Sequence, residues 1–260
     1  VPPLSEQASI VAKLDSCTSC VDMLISQKQE FIALLKEKKT SLISSYISGS
    51  MHYSGKFKKS GIPWLPVVPA HWSILRARYL YRQLSRPYIQ ESGVVTAFRD
   101  GQVTLRENRR SDGFMFAIKE QGYQGVFPGD LVIHSMDAFA GAVGVSESAG
   151  KCTGEYVVCE ALVHSTNNHY YAACLQWMAF QNFIYVICPS VRERAPRLRF
   201  NTFKDVYFPV PPPEEQSSIV TSLSKELLSI QSLISDLLTG IDYLISSEVG
   251  KRPGTRRLWS

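Results

Sequence analysis

VPPLSEQASIV occupies residues Val1–Val11, and VPPPEEQSSIV occupies Val210–Val220. Aligned at an offset of 209, twelve of the first 26 positions are identical: Val1, Pro2, Pro3, Glu6, Gln7, Ser9, Ile10, Val11, Leu14, Leu24, Ile25 and Ser26. A second block, LISS, stands at Leu42–Ser45 and again at Leu244–Ser247, an offset of 202. The difference is seven residues, which is two turns of helix. Removing one heptad shortens a coiled-coil helix without rotating its apolar seam, whereas a strand repeat would not tolerate it. The chain therefore reads as two related helices at its two ends.

The second copy carries Val220, Leu223, Leu227, Ile230, Ile234, Leu237, Ile241 and Leu244, alternating spacings of three and four without a break. The first runs Ile10, Leu14, Cys17, Val21, Leu24, Lys28, Phe31, Leu35, Lys38, Leu42, with two lysines interrupting it. Prolines precede each copy, and a glutamate sits in each first turn, near the positive end of the helix. Helices of about 40 and 33 residues would reach roughly 60 and 50 Å. Neither buries its seam alone, so the expectation is an antiparallel coiled coil. Its interface is predicted at Ile10, Leu14, Val21, Leu24, Phe31, Leu35 and Leu42 on one helix. On the other it is predicted at Leu223, Leu227, Ile230, Ile234, Leu237, Ile241 and Leu244.

At 260 residues and 45% hydrophobic, the chain has the material for one or two domains. No unbroken apolar run of 18 residues occurs, so no membrane span is expected. No secretory signal pattern is present, and the start at Val1 rather than Met suggests that something upstream is missing. Six cysteines in a chain this long do not form a disulfide framework, and Cys17-x-x-Cys20 lacks a second pair at zinc spacing. Buried or half-buried thiols in a reducing cytoplasm are expected. Charge separates the regions. Residues 1–50 are neutral and residues 211–260 carry −1, while residues 51–210 hold eighteen bases, twelve of them Arg, against twelve acids.

From about residue 51 the composition shifts to Gly, Pro and aromatics. Strands are predicted at Gly93–Phe98, Gly101–Leu105, Gly129–Ser135, Gly141–Ser146 and Glu155–Val163, and a helix over Asn167–Tyr185 with an Asn cap. The fold class is α+β. A mixed α/β domain over residues 51–210 lies between helix 1 (1–50) and helix 2 (211–248), with a tail at 249–260. Catalytic patterns are missing: no phosphate-cradling glycine loop, no nucleophile elbow and no metalloprotease helix. Asp130, Glu147 and Glu160 lack the acid–x–Lys spacing of a nuclease. GAVG at Gly141–Gly144 reads as a tight strand turn. The arginines remain. Arg99, Arg106, Arg109 and Arg110 surround a predicted hairpin, and Arg192, Arg194, Arg197 and Arg199 form a second cluster. With Lys119 and Lys151 they are the candidate nucleic-acid contacts, because guanidinium forks fit phosphates and base edges.

Three stretches then carry a resemblance. VPPLSEQASIV leads a long helix ending TSLISSYISG. SGIPWLPVVPAHWSILRARYLY (Ser60–Tyr81) is similar to an SGIxWLGxIPxHW-type approach to a recognition domain. FNTFKDVYFPVPPPEEQ (Phe200–Gln216) looks like that domain's exit into a second helix, and GDLVIHSMDAFAGAVGVS (Gly129–Ser146) matches an internal strand pair. Together they resemble the specificity subunit of Type I restriction–modification systems over nearly the whole chain. The resemblance implies a non-catalytic, cytoplasmic subunit that recognises double-stranded DNA and guides restriction and DNA methylation. A target recognition domain would read one half-site, and the coiled coil would dock methyltransferase subunits and, through them, a restriction motor. No cofactor is expected on this chain, and S-adenosylmethionine is expected in the partner. Family members carry two recognition domains, and this chain holds one. It would be either a half-subunit that dimerises or the distal part of a longer protein, and the start mid-motif favours the latter. Trp64, Trp72 and Phe98 are expected to pack the domain. A coiled-coil adaptor and, further off, a stand-alone nuclease are the alternatives. GKRPGTRRLWS (Gly250–Ser260) matches nothing.

Overall fold

The computed structural model describes residues 2–109, 122–188 and 196–249. Arg110, Lys119, Arg192, Arg194 and the tail from Gly250 lie outside the described residues. In chain order the elements are α1 (Leu4–Ile47), β1 (Phe57–Ile62), β2 (Leu65–Pro69), β3 (Ser73–Arg76), β4 (Tyr81–Gln83), β5 (Val95–Ala97) and β6 (Val103–Leu105). They continue with β7 (Gln124–Val126), β8 (Leu131–His134), β9 (Val143–Val145), β10 (Gly150–Cys152) and β11 (Tyr156–Ala161). Last come α2 (Asn168–Phe180), α3 (Phe183–Ile187), α4 (Phe200–Phe203), β12 (Tyr207–Val210) and α5 (Pro213–Val249). They form two compact units: Val1–Leu42 with Ser224–Ser260, and Ile43–Leu223.

In the first unit α1 and α5 run antiparallel as a coiled coil, with Lys28 of α1 facing Gly240 of α5. On α5 the shielded positions are Leu227, Ile230, Ile234, Leu237, Ile241 and Leu244, at the spacing read from sequence. On α1 they are Val21, Ile25, Lys28, Ile32, Leu35, Lys39 and Leu42. This corrects the predicted seam at two positions: Leu24 is 40% and Phe31 47% exposed, while Ile32 is only 7% exposed. At each step the chain offers two adjacent apolar or basic residues (Leu24–Ile25, Phe31–Ile32, Lys38–Lys39), and spacings of three and four both fit a helical stripe. Ile10 and Leu14 are also exposed rather than paired, and Cys17 and Cys20 are exposed free thiols, not half-buried ones. By length and composition the Pro213–Ser246 stretch of α5 could cross a membrane, at a mean hydropathy of 1.2. The helix also carries Lys225, Glu226, Gln231 and Asp236 among its exposed positions, however, whereas a lipid-embedded helix is apolar all round.

The second unit takes in the end of α1, where Ile43, Tyr46 and Ile47 are buried, and the start of α5, where Gln216, Ile219 and Leu223 are buried. The compact boundaries therefore fall inside both helices rather than at residues 50 and 211. A four-stranded antiparallel sheet in the order β4-β11-β8-β9 forms the centre, with two-stranded ribbons β1-β2, β3-β12, β5-β6 and β7-β10 around it. The strands read at Gly93–Phe98, Gly101–Leu105, Gly129–Ser135, Gly141–Ser146 and Glu155–Val163 appear in shortened form as β5, β6, β8, β9 and β11. The helix predicted over Asn167–Tyr185 breaks at Asn182, whose φ of 55° ends one helix and starts another. Asn167 caps α2 as expected, accepting the His169 N–H at 3.1 Å.

Two cores result. Val95, Ala97, Val103, Val126, Val132, Ala142, Cys152, Tyr156 and Val158 fill the space beneath the β5–β6 hairpin. Trp72, Tyr81, Tyr170, Tyr171, Phe203 and Phe208 make an aromatic layer whose rings meet mostly edge-on, the arrangement favoured by the ring quadrupole. Trp64 joins it against Phe208. The two motif stretches at the domain's borders meet. Glu215 of PPPEEQ accepts the Trp72 indole N–H at 2.8 Å, and its other oxygen lies 2.7 Å from His71 Nε2 of PAHW. Gln216 next to it accepts the Asn167 N–H at 2.8 Å.

Candidate nucleic-acid interface

The site is built on the β5–β6 hairpin. Its turn, Phe98–Gln102, closes through the Gly101 N–H to Phe98 O at 2.9 Å and the Phe98 N–H to Gln102 O at 2.8 Å. Gly101 adopts φ +94°, which is why an Asp-Gly pair stands here. The tip packs directly on Gly144 of β9, where a Cβ would collide with Gly101 O, so this position must be glycine. Parallel bridges from Val94 to Lys151 and from Val103 to Ser146 fix the rest of the hairpin to its neighbours. GAVG is thus a close-packing turn rather than a phosphate clamp.

On this support four of the predicted arginines fall in one neighbourhood. Arg99, with 69% of its side chain exposed, reaches Asp137 at 2.9 Å. Arg109 pairs with Asp100 at 2.7 Å and lies 4.4 Å above the Phe98 ring. Phe98 thereby serves the arginine as well as the packing expected of it. Arg106 points its Nε at Thr96 Oγ1, 3.4 Å away. Arg197 meets Glu155 at 3.1 Å. Between them His134 stacks on Tyr156 with 4.5 Å between ring centroids, and its Nδ1 is 3.1 Å from Asp137. Burial holds the His134 imidazole below its ordinary range, against the opposing pull of Asp137. Burial pushes the Tyr156 phenol up to about 12, so both rings are neutral near pH 7. Arg199 is exposed at the rim of a polar cavity of about 180 Å³ that Glu155, Tyr156, Gln83 and Asn201 also line.

Lysine 151 belongs elsewhere. It is 5% exposed, donates to Gln90 O and sits beneath the Tyr88 and Tyr123 rings, so it is a core cation and not a phosphate anchor. Arg86 is likewise structural: it grips Asp130 through both terminal guanidinium nitrogens, Nη1 and Nη2, and Asp130 also accepts the Phe127 N–H. Sequence reasoning missed the acids. Asp100, Asp137 and Glu155 each hold one of the arginines, and nothing local in the sequence pairs positions 38 or 42 residues apart. The RDG turn could have shown Asp100 beside Arg99. Among the described residues no group of three His, Cys, Asp or Glu side chains could hold a metal ion.

What the arrangement offers is a set of guanidinium groups around one hairpin, with Arg99, Arg109 and Arg197 resting on carboxylates and Arg106 directed at the Thr96 hydroxyl. Exposed ion pairs of this kind are worth about 0–1 kcal/mol, so an incoming phosphate or base edge displaces the acid at little cost.

The overall fold has known counterparts. A chain from a structure on complex assembly and conformational transition of the type I R-M system superposes with a TM-score of 0.59 at 19% identity, covering 95% of this chain and 58% of that one. The HsdS subunit from Thermoanaerobacter tengcongensis superposes with a TM-score of 0.50 at 16% identity, again over 95% of this chain and 58% of its own. This chain thus has the fold of a Type I restriction–modification specificity subunit and spans a little under three-fifths of those relatives' length. No protein-family model and no curated protein matches its sequence.

Proposed function

We propose that the chain is a sequence-specific DNA recognition component of a Type I restriction–modification enzyme. The domain of residues 51–210 reads one half-site of duplex DNA through the hairpin arginines. The coiled coil docks methyltransferase subunits, and through them a restriction motor. The observation that carries the reading is the grouping of Arg99, Arg106, Arg109 and Arg197 around one rigid hairpin, in a fold shared with specificity subunits. The off-seam apolar residues support the docking role: Leu24, Phe31 and Leu34 on α1, and Leu228, Leu238 and Ile245 on α5, are all exposed. Methyl transfer from S-adenosylmethionine belongs to the partner, and this chain contributes no catalytic group. Six free thiols fit a reducing cytoplasm.

The test is selection of bound duplexes from a random DNA pool, with the chain alone and with its methyltransferase partner. Enrichment of a short common block is the expected result. Recovery of unselected sequence in both arms, at binding that follows salt alone, rejects the proposal in favour of an adaptor role.

A further inference from the structure

Among the arginines singled out in the sequence, Arg199 stands apart. Arg99, Arg109 and Arg197 each rest on a carboxylate. Arg199, exposed at the mouth of the polar cavity, meets none among the described residues. The one acid in the cavity wall, Glu155, is engaged by Arg197 at 3.1 Å. The Arg199 guanidinium is therefore the cavity's unpaired charge, and its planar fork suits an oxyanion. Behind it, Ser135 is only 3% exposed. Its N–H donates to Glu155 O at 3.0 Å and its carbonyl accepts the Leu198 N–H at 2.9 Å, which ties three segments into one wall. The Ser135 hydroxyl has no hydrogen-bond partner among the described residues, and neither has the Gln83 amide. Asn201 engages only its carbonyl oxygen, which accepts from Lys204 Nζ at 2.9 Å, and keeps its NH₂ group. A buried hydroxyl that no protein group satisfies is an open hydrogen bond that an incoming polar atom completes. Phe200, half-buried in the same wall, adds an aromatic surface.

We infer that this cavity holds a single nucleotide, with its phosphate on Arg199 and its base among Gln83, Ser135 and Asn201. The volume of about 180 Å³ suits one planar heterocycle and falls short of the roughly 300 Å³ at which sites for drug-sized molecules begin. Two amides and a hydroxyl offer both donors and acceptors to a base edge, and an aromatic neighbour suits its flat face. The cavity adjoins the hairpin arginines. Tyr156 in its wall stacks on His134, and His134 contacts Asp137, the partner of Arg99. Under the proposed function the nucleotide is one turned out of the bound duplex, a source that rests on that reading. A free nucleotide is the other source of the same chemistry.

Two arms on the full chain separate the sources. In the first, the four deoxynucleoside 5′-monophosphates and the matching phosphate-free nucleosides are followed by saturation-transfer NMR. In the second, the duplex recovered by selection is scanned with abasic sites, each opposite an intact base, and affinity is read by anisotropy. A duplex source predicts one position at which losing the partner base tightens binding by roughly ten- to hundredfold, since the pair no longer has to be broken. A free-nucleotide source predicts transfer to the monophosphates, weaker to the nucleosides, and no such position in the duplex. Gln83→Leu removes an amide, and Asn201→Trp fills the cavity from an exposed position. Each should abolish whichever signal is found while circular dichroism stays unchanged, and Arg199→Ala should erase the difference between monophosphates and nucleosides. No preferred position in the duplex together with no transfer overturns the inference. So does either signal persisting in both cavity variants. A selection that recovers no common block, with transfer to the monophosphates intact and lost in the variants, rejects DNA reading and supports the nucleotide site alone.

Discussion

Replacing Asp137 and replacing Arg99 should move DNA affinity in opposite directions. Both belong to one exposed ion pair at the hairpin tip, Arg99 Nη2 to Asp137 Oδ1 at 2.9 Å, with side chains 69% and 33% exposed. Such a pair contributes about 0–1 kcal/mol in water. The chain must give up that amount before Arg99 can engage a phosphate. Asp137→Asn removes the restraint while keeping a partner for His134 Nδ1, so duplex affinity should rise by up to about fivefold. Arg99→Ala removes one phosphate contact, and the slope of log K against log salt should flatten by about 0.9. Between 50 and 200 mM salt the unmodified chain should therefore lose roughly 3.5-fold more affinity than the variant. Fluorescence anisotropy of a labelled duplex, titrated at four salt concentrations, reads both quantities. Asp137→Asn binding more weakly than the unmodified chain, or Arg99→Ala retaining the full slope, would refute the assignment of this arginine to DNA.

Three further outcomes follow from the packing. Ile32→Ala, at a shielded seam position, should cost about 2–4 kcal/mol in urea unfolding followed by helical circular dichroism, whereas Phe31→Ala should cost about 1 kcal/mol or less. The reverse order would restore the seam predicted from sequence. Gly240→Ala places a Cβ 2.9 Å from Lys28 Nζ, the mobile tip of a long side chain, so helix propensity should dominate. The variant should gain about 0.5–1 kcal/mol, and a lowered Tm would show Lys28 to be pinned in its notch. Burial keeps His134 and His169 below the ordinary imidazole range, so the unfolded chain takes up protons that the folded one resists. Stability should be full above about pH 6.5 and fall as the pH drops below it. His134→Gln should make that fall shallower in thermal melts, and an unchanged profile would remove His134 as a contributor.

The repeat was the most legible feature and held more than the apolar period could extract. Period alone chose Leu24 and Phe31. Carrying the uninterrupted seam of the second copy back through the two offsets gives Val21 and Ile25 from Ile230 and Ile234, and Leu35, Lys39 and Leu42 from Leu237, Ile241 and Leu244. Those are the residues the structure shields. The strands between Phe57 and Gln83 were not read, because they are short, proline-bearing and only partly alternating: the burial of β2 runs buried, two exposed, two buried. Lys151 could not be recognised as buried, since its shelter comes from Tyr88, Gln90 and Tyr123, and ring placement is a tertiary fact. The hairpin arginines were legible as residues but not as pairs. A guanidinium finds its carboxylate through folding, and Asp137 and Glu155 stand on other elements.

Under the proposed function, that pairing bears on how the domain would reject the wrong sequence. Residues 51–210 hold eighteen bases against twelve acids, yet Arg76, Arg78, Arg82, Arg86, Arg99, Arg109 and Arg197 all rest on carboxylates. On arbitrary DNA a phosphate replaces an aspartate, exchanging one ion pair for another with little net gain. Only where the groove also presents matched acceptors does an arginine such as Arg99 add bidentate bonds, worth about 1–3 kcal/mol of discrimination each. Under the proposed function the acids are therefore part of the reading head. They suppress the sequence-blind attraction that bare arginines would exert, and leave the base edges to decide where the domain stops.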